Sequence, residues 1–150
     1  NAIDALIIGG KKEEASKHVV DFSRLCRNIL NSSKKDYITL EEEVNILKGY
    51  LNFEKLRLGK RLQIEWKIDQ TLNLEWYKVP SLILQPFVEN AIWHGILNKP
   101  NRSTGQLIII IADVNKDFLQ CTIEDDGTSD RMAIFGNEND QRTHNCYPTN

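Results

Sequence analysis

Residues 84–96 read LQPFVENAIWHGI, and the rest of the chain is best read outward from them. Leu84, Val88, Ala91 and Ile92 recur at helical steps, so the segment is expected to bury one face. Glu89 and Asn90 are adjacent polar residues on this otherwise apolar stretch, while Asn90 and His94 are four apart and share a face. The helical pattern runs from Val79 to Ile96, with Pro80 near its start. Pro86 falls inside it and is expected to kink the helix or remove one backbone hydrogen bond. An oxygen-bearing side chain at the edge of a buried helix suits a Mg2+–phosphate complex, because magnesium takes few and hard oxygen ligands. A plain solvent-facing position for Glu89 and Asn90 is the other reading.

Upstream, RLQIEWKID (residues 61–69) alternates strictly. Leu62, Ile64, Trp66 and Ile68 point one way and Gln63, Glu65 and Lys67 the other, as in a strand with one covered face. Before it, Thr39 followed by Glu42 forms a capping box. Leu40, Val44, Leu47, Leu51 and Leu58 mark the buried face of the helix that follows, which stops near Gly59. A polar break at residues 32–36 separates this helix from an earlier one over residues 11–31. There Ala15, Val19, Phe22, Cys26 and Ile29 form a stripe that Val20, Leu25 and Leu30 widen. Residues 1–8 read as the end of a further helix, turned at Gly9-Gly10. Such a hairpin must bury its stripe on a partner chain or on its own domain, and periodicity leaves both open.

Downstream, QLIIIIADV and DFLQCTIEDDG, joined through Asn115-Lys116-Asp117, read as an antiparallel hairpin. The second run ends in IEDDG (residues 123–127). A carboxylate there, followed by Gly127, can accept a hydrogen bond from an exocyclic amine while the backbone turns close to a ligand. An ordinary acidic turn is the alternative. After Gly127 the pattern fails, and GNENDQRTHNCYPTN (residues 136–150) reads as loop, with no closing helix or strand. Strand, helix and hairpin in this order imply an α+β fold, a two-layer α/β sandwich preceded by a helical hairpin.

Composition sets the outer bounds. The net charge of −2 gives no basic balance for nucleic acid or an anionic membrane surface. Cys26, Cys121 and Cys146 are far apart, show no metal-ligand spacing and fit a reducing compartment. No apolar run approaches the roughly 20 residues needed to cross a bilayer. Asn1 opens in mid-pattern, so the chain reads as a fragment whose membrane anchor or sensor would lie outside it.

Together, the "TLEEE…YLNFEKLRLGKRL" helix, the "LQPFVENAIWHG" helix and the "EDDG" turn resemble the LytS-type sensor histidine kinases over residues 1–127. These share the Bergerat ATP-binding fold with gyrase and Hsp90-type ATPases. The resemblance implies an ATP-dependent protein histidine kinase of a two-component system, with ATP and Mg2+ as cofactors. Residues 1–36 would be part of the dimerisation and phosphoacceptor region, and residues 37–150 a C-terminally incomplete ATP-binding domain. Asn90 would hold the magnesium that bridges the phosphates. Glu89 would line the same pocket and assist phosphoryl transfer, and His94 would close the motif. Asp125 would accept the adenine amino group beside Gly127, the first glycine of the turn. The implied partners are a second copy, through Phe22, Leu25 and Ile29, and a response regulator. The implied place is the cytoplasmic domain of a plasma-membrane protein, which meets the membrane only through segments outside this chain.

Four departures qualify the resemblance. The "PHFLFN"-like stretch that carries the family's acceptor histidine is absent, and His18 lies in an ordinary amphipathic helix, so this fragment alone is expected to be inactive. Ser129 replaces the second glycine of the turn. Trp93 stands where the family usually has a basic residue. Pro148 stands where a glycine is expected in a tail only faintly similar to the family's lid. They motivate an alternative, a degenerate, non-catalytic dimerisation and signalling module. A hydrolytic ATPase is disfavoured because Pro86 stands where its water-activating glutamate would be.

Overall fold

The computed structural model describes residues 6–99, 103–114, 118–127, 131–136 and 144–148. Helix α1 is Lys12–Ser32, strand β1 is Tyr37–Thr39 and helix α2 is Leu40–Leu58. Strands β2 (Leu62–Ile68) and β3 (Lys78–Pro80) precede helix α3, which begins as Gln85–Asn90. It continues as a π turn over Ala91–Gly95 and a 3-10 turn over Ile96–Asn98. Strands β4 (Gly105–Val114), β5 (Phe118–Asp125), β6 (Arg131–Gly136) and β7 (His144–Pro148) complete the order.

The expected strands and hairpin form as read. The main sheet has five strands in the order β2-β4-β5-β6-β7. β2 pairs parallel with β4, and the other pairs are antiparallel. Register sets the faces, because side chains alternate along each strand. Ile64, Leu107 and Asp125 are neighbours across the ladder, as are Trp66, Ile109 and Ile123, and Ile68, Ile111 and Cys121. On this face Leu107, Ile109, Ile111, Cys121 and Ile123 are buried, with Val88, Ile92 and Ile96 of α3 and Val44, Leu47 and Leu51 of α2 in the same core. The fold is therefore α+β, with helices over one face of a mixed sheet.

Helix α2 starts as the capping box requires. The Glu42 amide donates to Thr39 Oγ1 at 3.0 Å, and the Thr39 amide donates to Glu42 Oε2 at 3.0 Å. It ends at Gly59, whose φ of +59° is a left-handed value that glycine adopts without a Cβ clash.

Three expectations are corrected. The helix does not begin at Val79. That residue lies in β3, which pairs antiparallel with β1 through Ile38 and Val79. Pro86 therefore falls in the first turn of α3, where no intrahelical partner is required, and causes no kink there. The irregularity comes later, as the π turn. Second, the stretch after Gly127, where no strand was expected, contains β6, and the tail read as loop contains β7; both extend the sheet. Backbone pairing to an existing ladder supplies what a polar edge segment lacks in pattern. Third, Leu25 is buried in the core of the same chain and is not open to a partner, and Ile29 packs against that core and is only partly exposed. A Cβ on Gly49 would lie 3.0 Å from Leu25 Cδ1, so α1 seats in a notch of α2. Phe22 meets Phe53 edge-on at 5.3 Å and is half exposed.

Candidate functional site

The site helix is launched by a side chain of another helix. Leu84, its N-cap, offers no side-chain cap. Glu43 of α2 does this instead: Oε2 accepts from the Leu82 amide and Oε1 from the Leu84 amide, both at 2.9 Å. Leu82 holds a φ of +59°, a costly value for a residue with a branched side chain, and the Glu43 bond fixes it. Glu43 is 1% exposed. Burial pushes its carboxyl above the ordinary value, and the two amides only partly offset this.

Helix α3 then carries Glu89, Asn90 and His94. Gln85 Nε2 donates to Glu89 Oε1 at 2.8 Å, which fixes Glu89 along the helix. Gln85 Oε1 is buried with no hydrogen-bond partner among the described residues. Asn90 is half-buried, and His94 is exposed. The backbone carbonyl of His94 accepts from Asn98 Nδ2 at 3.0 Å.

Strand parity brings the second element to this helix. Asp125 follows Cys121 and Ile123 at two-residue steps and so falls on the helix-covered face, where it is 9% exposed. Its Oδ1 accepts from the Gly127 amide at 2.9 Å. The turn abuts the end of the site helix at Gly95. A Cβ on Gly95 would lie 2.2 Å from Asp125 Oδ1, and a Cβ on Gly127 would lie 2.5 Å from the Gly95 carbonyl carbon. Two glycines thus let a carboxylate and a turn press onto the helix that bears Asn90. Asp126 anchors the turn from outside. It accepts from the Gln106 amide at 2.9 Å and pairs with Lys99 at 2.8 Å. Burial would raise its carboxyl, but Lys99 and the amide outweigh it and hold it below the ordinary value.

The structure brings Asp125, Gly127 and the end of the Asn90 helix together, and it sets His94 in solvent. Ser129 lies outside the described residues. Gly95, Gln85 and Glu43 are functional candidates that the sequence reading did not single out. The glycine at the end of "WHG" was the one local signal, since a glycine on an apolar helix often marks a close approach. The amide and carboxylate oxygens of Asn90 and Asp125 are hard donors of the kind magnesium takes, and the Asp125 carboxylate and the Gly127 turn occupy the space beside Gly95 that a Cβ would need.

Comparison with known proteins shows what the chain resembles. Residues 1–62 match the family described as Histidine kinase. Sensor protein LytS of Staphylococcus epidermidis is 29% identical over 139 residues, covering 91% of this chain and 22% of the relative. Sensor histidine kinase BtsS of Escherichia coli is 36% identical over 97 residues, covering 63% of this chain and 17% of the relative. A solved structure of histidine kinase ThkA in complex with the response regulator protein TrrA is similar over 85% of this chain and 41% of that one, with a TM-score of 0.45 and 14% identity. The chain spans about a fifth of the length of these two curated relatives. Residues 1–62 thus match the histidine kinase family, and over most of its length the chain is similar to LytS-type sensor histidine kinases.

Proposed function

We propose that this chain is the nucleotide-binding part of a sensor histidine kinase core, acting in ATP-dependent phosphorylation of a histidine and relay to a response regulator. The contact of the Asp125–Gly127 turn with Gly95 supports it, since it sets an acidic anchor against the helix that carries Asn90. In this reading Asn90 holds Mg2+ on the phosphates, Glu89 lines the pocket and assists transfer, and Asp125 accepts the adenine amino group. Bound ATP and Mg2+ supply the phosphoryl group and the charge neutralisation. The residues position them, and in this class of reaction positioning and electrostatics provide most of the catalysis. Residues 1–36 serve as part of the dimerisation region. With Leu25 buried and Ile29 packed against the core, its free apolar surface includes Val19, Val20 and Leu30 of α1, each about half exposed or more. The parent protein sits in a membrane. Among the described residues no helix is long and apolar enough to span one.

Equilibrium binding of MgATP tests the pocket. Asn90→Ala and Asp125→Ala are each expected to weaken it at least tenfold, the cost of about one charge-assisted contact. Unchanged affinity in both variants overturns the assignment.

A further inference from the structure

A bound triphosphate brings several negative charges, and the segment QPFVENAIWHG (residues 85–95) contains no lysine or arginine. Acidic groups lie close by. Glu54 of α2 and Glu89 of α3 both act on the Tyr50 phenol, which burial first and these carboxylates second push up to about 12. Beyond the Mg2+ assigned to Asn90, phosphates there would meet two carboxylates and no cationic side chain from this segment.

A cation is nevertheless laid on this helix from α2. The Arg57 guanidinium carbon is 4.5 Å from the centroid of the Trp93 ring, within the range of a cation–π contact. Trp93 is three residues after Asn90, a helical neighbour. Glu54 holds the guanidinium. Arg57 Nε donates to Glu54 Oε2 at 3.1 Å, and its terminal Nη2 donates to the same oxygen. Trp93 also acts on the Tyr50 phenol, partly offsetting the upward push of burial and the carboxylates. A guanidinium has five N–H donors in a planar fork, and the Glu54 oxygen takes two of them. The Arg57 side chain is 41% exposed, so its remaining donors are open to solvent. An arginine needed only for an ion pair between successive helical turns has no use for an aromatic platform, because such pairs contribute about 0.5 kcal/mol or less.

We propose that Arg57, held flat on Trp93 by Glu54, is a phosphate-binding residue that reaches the nucleotide from outside the site helix. The inference rests on the pocket reading above and assigns to Trp93 a platform role in place of a direct charge. A planar fork suits phosphate oxygens because it can meet two of them at once.

The test compares MgATP and MgADP binding by the whole chain. Arg57→Ala is expected to weaken MgATP about tenfold and MgADP less, because the distal phosphates lose a charge-assisted contact. Adding Trp93→Lys to Arg57→Ala places a cation directly on α3 and is expected to recover most of the loss. Because a lysine there can bind phosphate by itself, Trp93→Lys alone is the reference: its gain should be larger in the Arg57→Ala background than in the unaltered one, and an equal gain in both, or no recovery in the double variant, overturns the proposal. If Arg57→Ala binds MgATP like the unaltered chain while Asn90→Ala and Asp125→Ala have lost it, this inference falls and the pocket stands. If Asn90→Ala and Asp125→Ala also bind normally, the pocket falls and this inference with it.

Discussion

Replacing Glu43 is the most informative single change away from the proposed ligand contacts. Its carboxylate accepts two amide hydrogen bonds at 2.9 Å inside the core, with no cation paired to it among the described residues. Hydrogen bonds to a charged group contribute about 1.5–3 kcal/mol each. Glu43→Ala removes both and leaves the Leu82 and Leu84 amides buried without their acceptor. Relief of a buried charge offsets part of that, so a net loss of about 3 kcal/mol is expected. Glu43→Gln keeps the shape and one acceptor oxygen and is expected to cost about 1 kcal/mol near neutral pH. The pH dependence gives the sharper reading. Because burial raises the Glu43 carboxyl above its ordinary value of 4.5, the folded chain holds this proton more tightly than the unfolded chain. That contribution to stability is complete below 4.5 and fades as pH rises through the raised folded value. The advantage of the unaltered chain over Glu43→Gln should therefore shrink with rising pH across that window and then level off. Urea unfolding followed by circular dichroism at a series of pH values measures it. A gap that widens as pH rises would refute the reasoning, since it would mean that the two amides outweigh desolvation and depress the carboxyl.

Two further outcomes test the packing of the site and of α1. Gly127→Ala drives a Cβ to 2.5 Å from the Gly95 carbonyl carbon, backbone against backbone. It is expected to destabilise by about 1–3 kcal/mol in urea titrations, and a change below about 0.5 kcal/mol would mean that turn and helix do not touch. Leu25→Ala empties the contact with Gly49 and is expected to cost about 2–4 kcal/mol. The loss should be the same at all protein concentrations, because the contact lies within one chain; a loss that vanishes on dilution would place Leu25 in a dimer interface instead.

The parts of the fold carried by short-range rules were legible in the sequence. Thr39 and Glu42 announce a helix start through chemistry confined to four residues, and Leu62 through Ile68 announce a covered strand by alternation alone. Asp125 at the end of the hairpin was likewise visible, although its meeting with Gly95 was not, because that contact joins segments that only the tertiary fold brings together. Val79 illustrates the opposite case. A three-residue strand is too short to show a period, and its apolar residues blend into the helix that follows. Glu43 could not be found either, since a glutamate in a run of three looks like a solvated helix start until the loop that it caps folds over it. β6 and β7 were missed because their pairing comes from a neighbouring ladder and leaves little trace in side-chain alternation.

The parallel seam between β2 and β4 has a consequence for how this protein forms. Two parallel strands cannot be joined by a tight turn, and here residues 69–104 pass between them. That passage contains β3, the turn held by Glu43 and the whole of α3. Closing a loop of this length costs chain entropy before any ladder bond rewards it, and such distant pairings are slow to form. The helix bearing Asn90 thus rides on the very segment whose closure zips the seam. Its docking is therefore expected to accompany the closing of the seam, since the segment that carries it must be drawn in before β4 can pair with β2.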